Sequence, residues 1–594
     1  MSENRYLVSR WSIDMTKKGL ILLILFLASC APEDGEYVFT VLTTNDVHGR
    51  YFDESYAHDN VRNALVSASW AVDSVRRESG RENVLLIDVG DCLQGDNAAY
   101  YYNFVDTLSA HLYPRMAEYM GYDAVVVGNH DIETGHSVYD RLRNEMKVPF
   151  LAANAISVDT GKPYFQEYAL IRRHGLKIAV IGFTNPGIPG WLAPELWSGL
   201  EFRQLLPYAQ EVVDKVTSTE KPDVVIVAVH GGTGDGSATD VENPGLALFK
   251  SLRGVDLVLC AHDHRPVVHD VDSIALVNSG SHCKNLGQGI VRVKVSGGRV
   301  VEKSVDALLI PVNASNGDER MREFFASDYE AVKAFTLRKV GSLEMPLRTV
   351  DAYRGMSDYL NLLHTLSLRC SPAQISLAAP LTFSGEVPSG EVLYNDLFTI
   401  YPYENQLFVV QMTGREVVDC LEYSYDKWIC TYGSDGRHVL KIRNAPDPRT
   451  GQKGWSFANK FYNFDSAGGL VYEVDVTRPF GQRVGVKSLA DGSAFDMNVV
   501  YNVAMTSYRA NGGGGHLSQG AGIDTSCIGE RIVARYPEIR QMLYDYFKEY
   551  GVVTPELVGA PSVVGSWRFV PSGLADKAID ADMELMFGSA TKRP

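Results

Sequence analysis

The stretch VVVGNHDIETGH, residues 125–136, opens with three β-branched residues and then changes character. Gly128 breaks the run, and an amide, an imidazole and a carboxylate follow at once as Asn129, His130 and Asp131. Glu133 and His136 come soon after. Three valines predict a strand buried on both faces. The titratable groups at its exit need a separate reason.

The same pattern recurs through the first half. EYVFTVLTTNDVHGR (36–50), NVLLIDVGDCLQGD (83–96), YDAVVVGNHD (122–131), KIAVIGFTNPG (177–187), PDVVIVAVHGG (222–232) and GVDLVLCAHDH (254–264) each run apolar and then turn polar. Stretches between them, such as ALVSASWAVDSVRRESG (64–80), show helical spacing. Strands alternating with helices predict a layered α/β domain from about Tyr37 to about Pro311. In such folds the site lies beyond the C-terminal strand ends, and the polar residues fall there.

Those ends carry Asp46 and His48, then Asp91, then Asn129 and His130, then His230, and finally His262 and His264. Oxygen and imidazole donors without thiolate suit zinc, manganese, cobalt or iron. A D-x-H pair in a turn lets both side chains face one ion. The two oxygens of Asp91 can bridge two ions. Two metals roughly 3.5–4 Å apart polarise a phosphoryl oxygen and activate water for in-line attack. Any one piece has an ordinary reading: a lone D-x-H is usually a turn, and a histidine after a strand is usually a core or loop residue. Their order along the chain carries the signal.

Quoted as NDVHG, VGDCLQGD, GNHD, AVHGG and AHDH, the set resembles the calcineurin-like metallophosphoesterases. The resemblance implies an αββα layered domain with two divalent ions. One ion would be held by Asp46, His48, Asp91 and His264, the other by Asp91, Asn129, His230 and His262. His130 would face the phosphate without ligating a metal. It could stabilise charge on phosphate oxygens or protonate the leaving alkoxide. Glu133 falls where the 5'-nucleotidase relatives place an aspartate that orients this histidine.

The second half differs in texture. DERMREFFASDYEAVKAFTLRKV (318–340) reads as an amphipathic helix within a linker over 312–341. Beyond it helices and short strands alternate without another metal set, predicting a smaller α+β domain over 342–569 and a peripheral tail over 570–594. YPYENQL (401–407) stiffens the approach to Tyr403 with a proline. SYRANGGGGH (507–516) sets Tyr508 and Arg509 before four glycines, including Gly512 and Gly513, where backbone can approach a ligand closely. By themselves these segments also fit a half-buried core tyrosine and a plain loop.

The order YNDLFTIYPYENQLFVVQMTG (394–414), YNFDSAGGLVYEVDVTRPFG (462–481) and MTSYRANGGGGH (505–516) resembles the C-terminal nucleotide-specificity domain of the bacterial 5'-nucleotidase family. The resemblance implies that Tyr403 and Tyr508 sandwich a base. Typical 5'-nucleotidases carry a GGGIR-like turn whose arginine helps bind the nucleotide, where this chain has SLAAPLTFSG (376–385). LAAP, YNFD and SYRA look closer to the 2',3'-cyclic-nucleotide 2'-phosphodiesterase/3'-nucleotidase branch. That branch is the favoured expectation. A 5'-nucleotidase or UDP-sugar hydrolase is the alternative, and a non-catalytic nucleotide-binding lipoprotein is the reading from another class.

The chain has 594 residues, 45% hydrophobic and 22% charged, which fits two globular domains. A net charge of −16 with no basic block argues against a nucleic-acid polymer as partner; small nucleotides remain, with a monomer as the working expectation. Lys17 and Lys18 precede GLILLILFLASC (19–30), too short for a membrane span and fitting a secretory signal over residues 1–30, with Met15 as an alternative start. LASC resembles a bacterial lipobox, implying cleavage before Cys30, lipidation of its thiol, and an exported lipoprotein of the periplasm or cell surface. Seven further cysteines, without a CxxC pair, read mostly as small buried apolar residues.

Overall fold

The computed structural model describes residues 32–588, apart from 58–59, 272–273, 404, 434–437 and 447–452. Cys30 and the signal segment therefore lie outside the described residues, as do residues 589–594 of the expected tail.

Among the described residues, fourteen strands build the first domain: β1 (Gly35–Thr44), β2 (Val84–Asp88), β3 (Ala124–Val126), β4 (Phe150–Leu151), β5 (Ala155–Ser157), β6 (Tyr168–Arg173), β7 (Leu176–Phe183), β8 (Leu200–Phe202), β9 (Val224–Val229), β10 (Leu257–Cys260), β11 (Pro266–Val271), β12 (Ile274–Ser279), β13 (Asn285–Ser296) and β14 (Arg299–Pro311). One sheet has the order β14-β13-β1-β2-β3-β4 and the other β11-β12-β10-β9-β7-β6. The six apolar runs divide three and three: β1, β2 and β3 are parallel neighbours in the first sheet, β7, β9 and β10 in the second.

The layering follows from side-chain alternation. Leu85 and Ile87 of β2 face an inner core shared with Ile178, Val180, Val224 and Ile226 of the other sheet. Val84 and Leu86 face outward, onto helix Leu65–Ser79 and its Leu65, Ala68 and Val72. Val225 and Val227 pack outward on Ala209, Val212 and Val216 of helix Leu205–Glu220. Both faces are covered, so the strands show no polar alternation. The result is the expected αββα stack. Each such aliphatic side chain, fully buried, contributes about 1.5–3 kcal/mol.

The linker belongs mostly to the first domain. It forms two helices, Glu319–Phe324 and Ala326–Thr336, where one was expected; Phe325 at the joint has ψ of 18° and breaks the ladder. Met321, Phe325 and Val332 lie in the first domain's core. Arg115 clasps Asp328 with two hydrogen bonds of 2.6 and 3.0 Å, and Tyr102 adds a third. Just beyond the second helix, the guanidinium of Arg338 lies 4.3 to 4.9 Å from the ring centroids of Phe335, Tyr394 and Tyr544.

The second domain centres on a five-stranded sheet in the order Ser466–Gly468, Ile375–Ala378, Val500–Thr506, Gln406–Thr413, Ile532–Glu538. Helix Gly414–Trp428 starts at Thr413, whose hydroxyl accepts from Glu416 N while Glu416 accepts from Thr413 N. That capping box is spelled T-G-R-E in the sequence. The expectation of a peripheral tail from residue 570 is corrected. Strand Gly565–Val570 pairs with Leu470–Asp475, and helix Ser572–Phe587 buries Ala575, Ile579 and Met583 in the domain core. Their four-residue spacing puts all three on one face. Asp582 further accepts from Val439 N and Leu440 N.

Candidate active site

Five strand ends converge at one place, and their backbone is unusual there. Asp46, His48, Asp91, His262 and His264 all have positive φ, between 49° and 71°. Non-glycine residues in the left-handed region cost on the order of 1–3 kcal/mol each and gather at functional sites. Here the turns curl back on their strands, so that residues two apart point at one spot. Asp46 N donates to Gly90 O and His48 N to Asp91 O, both at 2.9 Å, locking the first two turns together.

Gly128, the residue that ends the run of valines, has a packing reason. A Cβ on it would sit 2.1 Å from Asp91 Oδ1. On Gly90, a Cβ would lie 2.7 Å from Gly128 N and 2.8 Å from His230 Nδ1. Asp131 is buried beneath, accepting from the backbone N–H groups of Asp91, Cys92, Leu93 and Gly128 at 2.7 to 3.1 Å. Burial and the neighbouring Asp91 charge push its carboxyl up to about 6, against those four donors. Its task is to shape the turn that presents Asp91.

Two ligand groups result. The donor atoms of Asp46, His48 and His264 lie within 4.8 Å of one another, as do those of Asp91, His230 and His262. Nε2 of His48 and of His264 meet at 2.9 Å and turn towards Asp46 Oδ1, at 3.9 and 3.5 Å. That oxygen is buried and accepts no hydrogen bond, an arrangement that suits a cation. In the second group His230 Nε2 lies 3.0 Å from Asp91 Oδ2 and 3.1 Å from Asn129 Oδ1; His262 Nδ1 lies 2.9 Å from the same amide oxygen. His230 Nδ1 donates to Val89 O at 2.6 Å, which aims Nε2 at the site.

Electrostatics agree with two adjacent cation sites. Burial opposes ionisation of Asp46, but the imidazoles of His264 and His230 together outweigh it and hold the carboxyl down at about 2. Burial, then His264, lowers His48 to about 3, the neutral state a ligand needs. His230 moves the other way, to about 9, because contact with Asp91 overcomes burial. A cation on Asp91 would displace that proton. Oxygen and imidazole donors, an orphaned buried carboxylate oxygen and histidines with fixed second nitrogens fit two divalent ions.

His130 stands beside these groups. Helix Asn129–Glu133 puts Glu133 one turn away, where its Oε2 accepts from His130 Nδ1 at 2.5 Å. The backbone N–H of His130 donates to Asp91 Oδ1 at 2.8 Å. The His130 ring lies 5.4 Å from that of His48.

The second domain brings its aromatics close: the phenols of Tyr462 and Tyr508 feel the carboxylate of Glu242, which lies 3.3 Å from His262 Nε2. Tyr403 and Tyr462 rings meet edge to face at 6.4 Å. Burial raises the phenols of Tyr403 (to about 12), Tyr462 and Tyr508; the first two also feel the Tyr508 phenol. A Cβ on Gly513 would lie 2.5 Å from the Tyr508 ring, so the glycine run covers one side of it. Gly512, with φ of 101°, makes the turn. Arg509, expected beside a nucleotide, is 3% exposed. It pairs twice with Asp465, at 2.8 and 2.9 Å, and donates to Gly513 O. Its place is behind the glycine loop, holding it.

Three neighbours escaped the sequence reading. Glu242 Oε1 lies 3.3 Å from His262 Nε2. Trp191 stacks on His262 with centroids 5.3 Å apart and planes 12° apart. His282, also at positive φ, has its ring 5.6 Å from that of His48. Glu242 and Trp191 lie outside the strand-end motifs and tertiary packing brings them in, whereas His282 lies three residues past the end of β12.

Paired metal-ligand groups at the strand ends of an αββα stack define a metallophosphoesterase. Residues 39–266 match the family model for calcineurin-like phosphoesterases, and residues 339–519 that for the 5'-nucleotidase C-terminal domain. Protein UshA of Escherichia coli K12 is 26% identical over 524 residues, covering 77% of this chain and 92% of UshA. The trifunctional nucleotide phosphoesterase YfkN of Bacillus subtilis 168 is 24% identical over 583 residues, 87% of this chain and 38% of YfkN. Among solved structures, a Staphylococcus aureus protein in complex with α-ketoglutarate superposes with a TM-score of 0.72 at 22% identity, covering 90% of this chain and 99% of that one. The 5'-nucleotidase precursor of Thermus thermophilus gives 0.59 at 20% identity, covering 90% and 100%. Over both of its domains, in this order, the chain is similar to metallophosphoesterase hydrolases of the 5'-nucleotidase kind.

Proposed function

We propose that the protein hydrolyses phosphate esters of nucleotides with two divalent ions, opening 2',3'-cyclic nucleotides and then removing the 3'-phosphate. The observation that carries the reading is the adjacency of the two ligand groups, the His130–Glu133 pair and the tyrosine cluster. Asp46, His48, Asp91 and His264 would hold one ion, and Asp91, Asn129, His230 and His262 the other. When bound, the ions would supply Lewis-acid polarisation of the phosphoryl group and a nucleophile derived from water.

The chain's own groups supply the rest. Nδ1 of His130 donates to Glu133, so Nε2 is the atom that exchanges a proton with the departing ribose oxygen. Tyr403 and Tyr508 would cover the two faces of the base, Tyr508 stiffened from behind by Gly513. Segment 376–385 offers no arginine to a 5'-phosphate, which favours the cyclic and 3' substrates. The likeness to UshA and to proteins named 5'-nucleotidase supports the second reading, a 5'-nucleotidase or UDP-sugar hydrolase. Rates on 2',3'-cyclic AMP, 3'-AMP, 5'-AMP and UDP-glucose with added manganese or zinc separate the two. The first reading expects the first two substrates to lead, and it is lost if 5'-AMP leads.

The clamp has its own test. Stacking on an aromatic is worth roughly 1–3 kcal/mol per base. Tyr403→Ala or Tyr508→Ala should therefore lower kcat/KM for nucleotides about ten- to a hundredfold. Tyr508→Phe should be almost neutral, because the ring face makes the contact. Bis(p-nitrophenyl) phosphate, which has no base, should depend much less on either ring. Equal losses on both substrates, with a lower melting temperature, would assign Tyr403 to the core instead.

We further infer export as a lipoprotein, from the lysine–apolar–LASC order. Among the described residues no helix is long and apolar enough to cross a membrane. Cys30→Ser should move the chain from the membrane to the soluble fraction; unchanged membrane association would reject the anchor.

A further inference from the structure

The segment between β7 and β8 is rooted in the first domain, where Ile188 and Leu192 are buried and Trp191 and Trp197 pack on the core, and it touches the second. It makes two short 3-10 turns, Ile188–Gly190 and Pro194–Trp197. Between them, Ala193 is buried in the second domain's core cluster, and Leu196 packs against the clusters of both domains. Glu195 lies 3.5 Å from Arg535, on the outermost strand of the five-stranded sheet. Trp191 O accepts a long hydrogen bond of 3.5 Å from Asn511, the residue just before the glycine run.

The ring of Trp191 faces the other way. It lies flat on His262 and rests against Gly187, where a Cβ would meet the indole at 2.8 Å. His262 is thus fixed from three sides: Asn129 at Nδ1, Glu242 near Nε2, and the indole across its face. The first two contacts come from the first domain alone. The third comes from a segment that straddles the two domains, held to the first through Leu192 and Trp197 and to the second through Ala193 and Leu196. One residue therefore connects the glycine loop against Tyr508 with a candidate ligand of the second ion.

We propose that Trp191 is a positioning residue that couples the seating of a base in the second domain to the grip of His262 on its metal. This rests on the reading of the chain as a metal-dependent nucleotide hydrolase. A base that holds the glycine loop in place also holds Asn511, and through the 191–196 segment keeps the indole on the imidazole. Coupling is reciprocal: the nucleoside slows loss of the ion, and the ion strengthens nucleoside binding.

The test uses the full chain loaded with manganese and a nucleoside that carries no phosphate. Metal release into excess chelator is followed with and without saturating adenosine, and adenosine binding is measured by calorimetry. In the natural sequence adenosine should slow release of one of two ions about fivefold or more, the usual scale of such coupling. Trp191→Ala should still bind adenosine and load two ions, yet release them at the same rate with or without it. Trp191→Phe, which keeps a flat face, should restore part of the protection. Full protection in Trp191→Ala with adenosine bound would overturn the proposal. So would two ions and bound adenosine in the natural protein with no protection at all. Failure of the natural protein to bind adenosine or two ions would overturn the nucleotide-hydrolase reading itself, and the coupling with it.

Discussion

Asp91→Ala is expected to abolish turnover and to lower bound metal at both positions. Asp91 is 1% exposed, and its two oxygens have different partners. Oδ2 meets His230 Nε2 at 3.0 Å, and Oδ1 accepts the backbone N–H of His130 at 2.8 Å. The substitution removes a carboxylate proposed for both ions and unties the turn that carries His130. Loss of metal-derived charge stabilisation is worth several kcal/mol, which converts to about a thousandfold or more in rate. Metal analysis and turnover on one preparation check it. Two retained ions with a near-normal rate would remove Asp91 from the centre of the site.

His130→Ala should lower kcat by about 10²–10⁴-fold, the range for a group that moves a proton in the transition state, while metal content changes little. Its Nδ1 is committed to Glu133, and neither ligand group includes it. Glu133→Gln keeps the shape but weakens the contact, and should give a smaller defect in the same direction. Loss of metal from His130→Ala, with activity restored by excess metal, would make His130 a ligand.

Much of this candidate site could be read before any coordinates, because its candidate ligands sit in short motifs at the ends of uninterrupted apolar strands. A strand such as Val224–Val229 has one plausible environment, two covered faces, and the histidine that follows it must emerge at the sheet's end. What the sequence could not convey was the hand of the turns. Nothing in D-x-H announces that both residues take positive φ, since neither is a glycine. Arg509 was misplaced because an arginine beside a glycine run suits a bound phosphate and a buried carboxylate equally well. The decisive partner, Asp465, lies forty-four residues away in sequence. Trp191 and Glu242 were invisible for a related reason: each lies in irregular chain, and only tertiary packing gives it a neighbour. The helix at 572–587 was readable in principle, since Ala575, Ile579 and Met583 keep helical spacing, but three apolar positions do not say which surface will cover them.

The linker's chemistry bears on how the two halves can move. Asp328 is gripped by a forked guanidinium and a phenol, contacts that weaken steeply with angle. They pin helix Ala326–Thr336 to the first domain like a shaft set in its housing. Arg338, two residues past the end of that helix, is held differently: ring faces from the linker and from the second domain surround it. Attraction between a cation and a π face depends on distance far more than on the ring's rotation in its own plane. A swivel there would keep its adhesion while the surfaces slide. Such a joint would work as a lubricated bearing, while any opening would have to draw Ala193 and Tyr100 out of apolar seats in the second domain and part Asn97 from Asn395.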